Sequence, residues 1–222
     1  HMHDDHLNGF PYLQRHHGTR VWCYENMKDV LEHPRNYNLG CILGEPIRVD
    51  RTFRNEEKFR WEEYEFTVSH APGHTDYQMA LFATIDGRRT AFTGDNWFPA
   101  PAGADYQIRH NVIFRNHIES GDHVKSIERV LKEEPEWLAP GHGEPFRVTR
   151  AMLEATRVRM AEQKRIFEDL IAGEDADYGL DPSWASIYPY QLVGQRGGTV
   201  ELQVRIRNYR ARPSKVQVTL EV

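Results

Sequence analysis

The sequence predicts a mixed α/β fold of the α+β kind, on three observations. Tyr64, Phe66 and Val68 alternate with Glu65 and Thr67 inside Trp61–Ser69, the period of a half-buried strand. Two apolar runs, Gln78–Ile85 and Arg88–Thr93, flank Asp86-Gly87, a hairpin signal. Val148–Ile171 then sets Met152, Leu153, Met160, Ile166 and Phe167 at helical spacing among charges.

The other elements follow from the same rules. Thr19–Tyr24 reads as a short strand, and Glu25–His33 as a short helix stopped by Pro34. Pro46–Phe53 reads as a strand, and Asn55–Lys58 as a solvated turn. A helical region is expected from Tyr106 to Glu134, broken near Gly121. Trp137-Leu138-Ala139 is a buried strand running into Pro140-Gly141-His142-Gly143, and Gly173 stops the long helix. Beyond it, 174–198 reads as a loop-rich linker, and Thr199–Asn208 and Lys215–Val222 as two strands joined by a turn at Pro213. Two strands bury no core alone, so 199–222 is expected to open a β-sandwich domain. Because the chain starts on a His-rich loop and stops inside a strand pattern, both termini are expected to be internal to a longer polypeptide. His1-Met2 is either native or a remnant of cloning.

Composition narrows the class. The 222 residues are 39 % hydrophobic and 27 % charged, enough for a core, with a net charge of −5. An acidic chain lacks the clustered cations that phosphate contacts need, so no nucleic acid is expected as partner. No apolar run approaches the ~20 residues of a membrane span, so no membrane partner is expected either. Cys23 and Cys41 exclude a disulfide framework, though not a single bridge, and are expected to be buried thiols. The excess is in histidine: 12 in all, five of them within the first 17 residues.

Four segments place His or Asp beside glycine or at a strand end: His1-x-His3-x-Asp5-His6, Pro72-Gly73-His74-Thr75, Thr93-Gly94-Asp95 and Pro140-Gly141-His142-Gly143. In an extended loop, residues i and i+2 point the same way, so His1 and His3 can share one ion. Asp5 and His6 add an oxygen and a nitrogen. Four such donors suit Zn²⁺ or a similar metal, and two adjacent ions use them better than one, with His74, His142 and Asp95 completing the shells. Asp95, a carboxylate, is the candidate bridge.

Over about residues 1–172 these segments, in this order, resemble the metallo-β-lactamase-fold hydrolase superfamily. The resemblance implies an αββα sandwich, of which the first sheet would precede His1, giving a hydrolase-like domain at 1–173. It implies that His1, His3 and His74 bind one metal, that Asp5, His6 and His142 bind a second, and that Asp95 bridges them. Two divalent ions are the implied cofactor, Zn²⁺ first, with Fe or Mn²⁺ possible for such ligands. A metal-bound hydroxide would cleave an ester, thioester, lactone or amide of a small-molecule substrate, with Asp5 as the catalytic carboxylate that orients water or shuttles its proton. The 222 residues alone are expected to turn over weakly or not at all. Asp76 and Tyr77 follow Thr75 where many members carry a second glycine.

Two other functions fit the same residues: a nuclease-type phosphodiesterase, and a non-catalytic metal-binding or carbohydrate-targeting protein. The remaining histidines are assigned to the surface or to packing, with His70 also a candidate to support the ligands from behind. Trp97 and Phe98 are either core or cleft wall. The arginines of Arg150–Arg165 are a solvated face, being interspersed with glutamates.

Overall fold

The computed structural model describes residues 1–111, 116–171, 184–210 and 212–219. The first 53 residues build short elements: α1 (Asp4–Leu7), α2 (Phe10–His17), β1 (Trp22–Tyr24), α3 (Lys28–Glu32) and β2 (Arg51–Phe53). β1 and β2 pair in parallel. Met2, Leu7, Met27, Val30 and Ile47 form a small core beneath them.

Next comes the main sheet, with β3 (Lys58–Trp61), β4 (Tyr64–His70), β5 (Met79–Ile85), β6 (Arg88–Gly94), β9 (Trp137–Pro140) and β10 (Phe146–Arg147) in the order β10-β9-β6-β5-β4-β3. Between β6 and β9 lie the antiparallel pair β7 (Trp97–Pro99) and β8 (Ile108–His110), then α4 (Asp122–Glu133). All main-sheet pairings are antiparallel except β6–β9. The β5–β6 turn has Asp86 at φ 49° and Gly87 at φ 77°, both left-handed, as a two-residue hairpin requires.

Alternation along the strands gives the sheet two apolar faces. Ala80, Phe82, Ala91 and Leu138 pack with Ile127, Val130 and Leu131 of α4 and with Leu153 and Met160 of α5 (Arg150–Ile171). On the other face Val68, with Phe59 and Leu81, meets Tyr24 and Phe53 of the β1–β2 pair. A helix layer thus covers one face and a second small sheet lies on the other, the layering of an α/β sandwich. Among the described residues no helix is long and apolar enough to cross a membrane.

Several expected elements differ. Of Tyr106–Glu134, only Asp122–Glu133 is α-helical among the described residues, and 112–115 lie outside them. Ile108, expected on a helix, is fully buried in β8, where it pairs with Pro99. The strand expected at Pro46–Phe53 shortens to β2, because helices satisfy the preceding backbone: Ile47 N donates to the Leu31 carbonyl, and Arg48 N and Val49 N donate to Gln14 and Glu32 side chains. Trp61–Ser69 splits into the β3–β4 hairpin, with Glu62 at φ 52° in the turn, so Lys58 belongs to a strand. Glu25–Met27 is a 3₁₀ turn ahead of α3. Cys41 is exposed, and only Cys23 is buried.

At the C-terminal end, β12 (Gln203–Ile206) pairs antiparallel with β11 (Ala185–Tyr188), a strand inside the expected linker. Lys215–Thr219 forms no strand, and Leu220–Val222 and Gly173 lie outside the described residues. The partner of β12 is decided by side-chain anchors: Tyr188 Oη donates to Asp29 Oδ2 at 2.7 Å and also lies 3.2 Å from Asn36 Nδ2.

Candidate metal centre

Strand direction builds the centre. β4, β6 and β9 run the same way, because β4 and β6 are both antiparallel to β5 and β6 is parallel to β9. Their C-terminal ends therefore leave one edge of the sheet, carrying the loops with His74, Asp95 and His142. The N-terminal segment is pinned at the same edge by an isolated antiparallel bridge between His3 and Ile42 and by Asp4 N donating to the Cys41 carbonyl.

Glycines let these loops converge. Gly94 has φ +51° and turns the chain off β6, and a Cβ there would lie 2.8 Å from Gln78 Oε1. A Cβ on Gly141 would lie 2.6 Å from His6 Cε1, and one on Gly73 2.9 Å from Asn96 Oδ1. Gly141 N donates to the Gly94 carbonyl at 2.9 Å, tying the His142 loop to the Asp95 loop.

All seven predicted residues come together, in two groups. His1, His3 and His74 form one, and Asp5, His6, Asp95 and His142 the other, with ligand atoms in each within 4.8 Å of one another. In the first, His3 Nδ1 lies 2.9 Å from His1 Nε2 and 3.0 Å from His74 Nε2. In the second, His142 Nε2 lies 3.0 Å from Asp5 Oδ2 and 3.5 Å from Asp95 Oδ2. Asp95 reaches both groups, since Oδ2 is also 3.9 Å from His74 Nε2, while Oδ1 is 3.4 Å from His6 Nε2. The groups adjoin, with the His1 and His6 ring centroids 4.2 Å apart.

The two halves differ in exposure. His3 and His74 are buried at 4 % and 3 %, whereas the Asp5 and His142 side chains are each 52 % exposed. Burial, and then the neighbouring His3, push the His74 imidazole down to about 4, and burial lowers His3 as well. Burial would raise Asp95, but the imidazoles of His6, His142 and His74 outweigh it and hold the carboxyl below its ordinary value. Neutral His3 and His74 imidazoles beside an ionised Asp95 carboxylate are the protonation states that a cation requires of its ligands.

A cation also answers an unmet polar demand. His6 Nε2 and Asp95 Oδ1 are buried and face each other at 3.4 Å, and neither has a well-formed hydrogen bond among the described residues. His3 Nδ1 has a single in-plane lone pair or proton and faces two imidazole nitrogens, at 2.9 and 3.0 Å, so it pairs well with at most one of them. His and Asp donors of this kind match borderline divalent ions. The residues present fit a metal.

Two asparagines support the centre that the motifs did not reveal. Asn96, fully buried, accepts from His74 N at 2.8 Å and donates to the Ala71 carbonyl at 2.7 Å, which fixes the His74 loop. Its signal in the sequence was only adjacency to Asp95. Asn116 Nδ2 lies 2.8 Å from His3 Nε2. His70 touches no ligand. It stacks on Tyr24, with ring centroids 4.9 Å apart, and lies 2.7 Å from the Asp76 carbonyl. Trp97 is wholly core, Phe98 is buried against Arg109, and His123 packs beneath Gly73. A cleft of about 1020 Å³ beside His70 and Asp76 contains none of the seven residues.

The family model described as Metallo-beta-lactamase superfamily matches residues 1–142, a span that includes all seven residues. No curated protein matches the chain. Among solved structures, a motif mutant of the metallo-beta-lactamase from Cronobacter sakazakii has a TM-score of 0.53 at 18 % identity, over 76 % of this chain and 71 % of that one. The metallo-beta-lactamase from Pontibacter korlensis gives 0.52 at 18 % identity, over 72 % and 66 %. A metallo-beta-lactamase family protein from Thermus thermophilus gives 0.50 at 16 % identity, over 73 % and 59 %. The chain thus spans only about two thirds of the length of such relatives, and at these identities the likeness is one of fold.

Proposed function

Since the chain belongs to the metallo-beta-lactamase superfamily, we propose that it supplies the metal centre of a hydrolase that cleaves an ester, thioester, lactone or amide of a small molecule. Superfamily membership supports a metal-dependent hydrolase in general terms, and the finer substrate class is our reading. The observation that carries it is the convergence of seven side chains into two adjoining groups, bridged by one carboxylate.

His1, His3 and His74 would hold one ion, and Asp5, His6 and His142 a second, with Asp95 between them. Divalent ions bound there would supply Lewis acidity and lower the pKa of water. The buried imidazoles fix the inner half, because their loops are clamped by Asn96 and by the His3–Ile42 bridge. The half-exposed Asp5 and His142 form the open side, where substrate has access. Asp5 Oδ2 stands at that opening and can take a proton from an attacking water and pass it to the leaving group. A net charge of −5 disfavours a polyanionic substrate.

Metal analysis together with a hydrolysis panel tests this reading. Close to two transition-metal ions per chain are expected, with their loss in Asp95→Ala, and any turnover, weak in these 222 residues alone, is expected on a carboxylic ester, thioester, lactone or amide. Absence of tightly bound metal overturns it. Turnover confined to phosphodiesters would transfer the centre to nuclease chemistry.

A further inference from the structure

His3 presents Nδ1 to His1 and His74, so its other nitrogen faces away from the candidate ion. An imidazole that offers a lone pair at Nδ1 carries its proton on Nε2, and a buried N–H needs an acceptor. Among the described residues the group against that nitrogen is Asn116, at 2.8 Å, which is itself 1 % exposed. Its Oδ1 is buried and without a hydrogen-bond partner among the described residues. A half-turn of the amide sets that oxygen on the Nε2 proton, in exchange for the long contact of Asn116 Nδ2 with the His74 carbonyl at 3.4 Å. The same residue holds the neighbouring ligand loop, because its backbone carbonyl accepts from Asp76 N at 3.0 Å.

The C-terminal strand pair holds the two residues that follow Asn116. Arg207 follows β12 directly and donates to the carbonyls of His117 and Ile118 at 2.9 and 3.0 Å. Its own backbone N donates to the Trp184 carbonyl at 2.7 Å, which anchors it to the start of β11. His117 has φ +63°, a conformation a non-glycine residue keeps only when its surroundings impose it. The Arg207 bond to its carbonyl and the 3.0 Å contact between its Nδ1 and Tyr77 Oη do so.

We propose that Asn116 is a positioning residue for His3, and that the β11–β12 hairpin, acting through Arg207, holds it there and so tunes metal binding by His1, His3 and His74. The inference rests on the metal-centre reading above and extends it from the ligands to a segment about 90 residues further along the chain.

The test is a titration of the metal-free 222-residue protein with Co²⁺, followed by visible absorption and by competition with a chelator. Asn116→Ala is expected to weaken one equivalent by roughly tenfold to a hundredfold, the range for lost outer-sphere partners. Asn116→Asp keeps an acceptor on Nε2–H and is expected to restore affinity, which mere packing would not explain. Arg207→Ala is expected to cause a smaller loss of the same equivalent and to add little to Asn116→Ala, since both act on one contact. Unchanged affinity and spectrum in Asn116→Ala overturns the proposal, as does equal loss in the Ala and Asp variants. A silent or fully additive Arg207→Ala overturns the role of the hairpin. Failure of the unsubstituted protein to bind Co²⁺ overturns the metal-centre reading and this proposal with it.

Discussion

Gly141 stands against Asp95 so closely that the two loops have no room for a methyl group between them. A Cβ on Gly141 would intrude on Asp95 Oδ1 and would lie 2.6 Å from His6 Cε1. Gly141→Ala is therefore expected to displace two candidate ligands while leaving the core intact. Metal content should fall by at least half, with far-UV circular dichroism unchanged. Retention of full metal content would show that the loops can part without cost.

Asn96 is a different kind of support, since it makes two buried hydrogen bonds that hold the His74 loop. Replacing it by Ala leaves His74 N and the Ala71 carbonyl unpaired in the interior. Unpaired buried groups of this kind cost about 1–3 kcal/mol each, so a loss of roughly 3 kcal/mol is expected in urea unfolding of the metal-free protein. Because His74 is a candidate ligand, metal affinity should fall as well. A variant that is destabilised but binds metal normally would confine Asn96 to folding.

The division into two groups predicts an asymmetry in metal stoichiometry. His142 is absent from the buried group, so His142→Ala should remove one equivalent and keep the other. Asp95 lies within 3.9 Å of His74 Nε2 and 3.5 Å of His142 Nε2, so Asp95→Ala should weaken both. Metal analysis after dialysis reads the difference directly. Equal losses in the two variants would mean that the seven residues serve one ion.

How much of this was legible in the sequence depends on how local each signal was. The His1–His6 motif and the three glycine-flanked loops are short, and their candidate ligands could be read before the strands that carry them were placed. The β5–β6 hairpin was equally plain, because Asp86-Gly87 supplies both left-handed positions. Longer-range effects were not legible. Ile108 lies in a stretch read as helical, yet the edge of β7 claims it. Tyr188 sits among prolines and glycines, where no strand was expected. It becomes part of β11 in a structure that anchors it to Asp29, 159 residues away in sequence. Asn116 carried no signal at all, since its meaning depends on His3, 113 residues distant.

The last prediction concerns pH and a histidine outside the ligand set. His123 is 5 % exposed on α4, and burial, reinforced by His110, pushes its imidazole down to about 4. His110 of β8 faces it with ring centroids 5.7 Å apart, and His74 adds a further lowering influence. Between about 6.5 and 4 the unfolded chain binds a proton at this position that the folded chain refuses. Stability is therefore full above the ordinary value and falls as pH drops through that window. For this group alone the loss between pH 7 and pH 5 is about 2 kcal/mol. His123→Gln removes the titrating group and should flatten the dependence by that amount. Urea unfolding of both proteins at the two pH values, with chelator present so that metal release does not enter, measures the difference. The same slope in both proteins would place the acid sensitivity elsewhere, in the imidazoles of the centre itself.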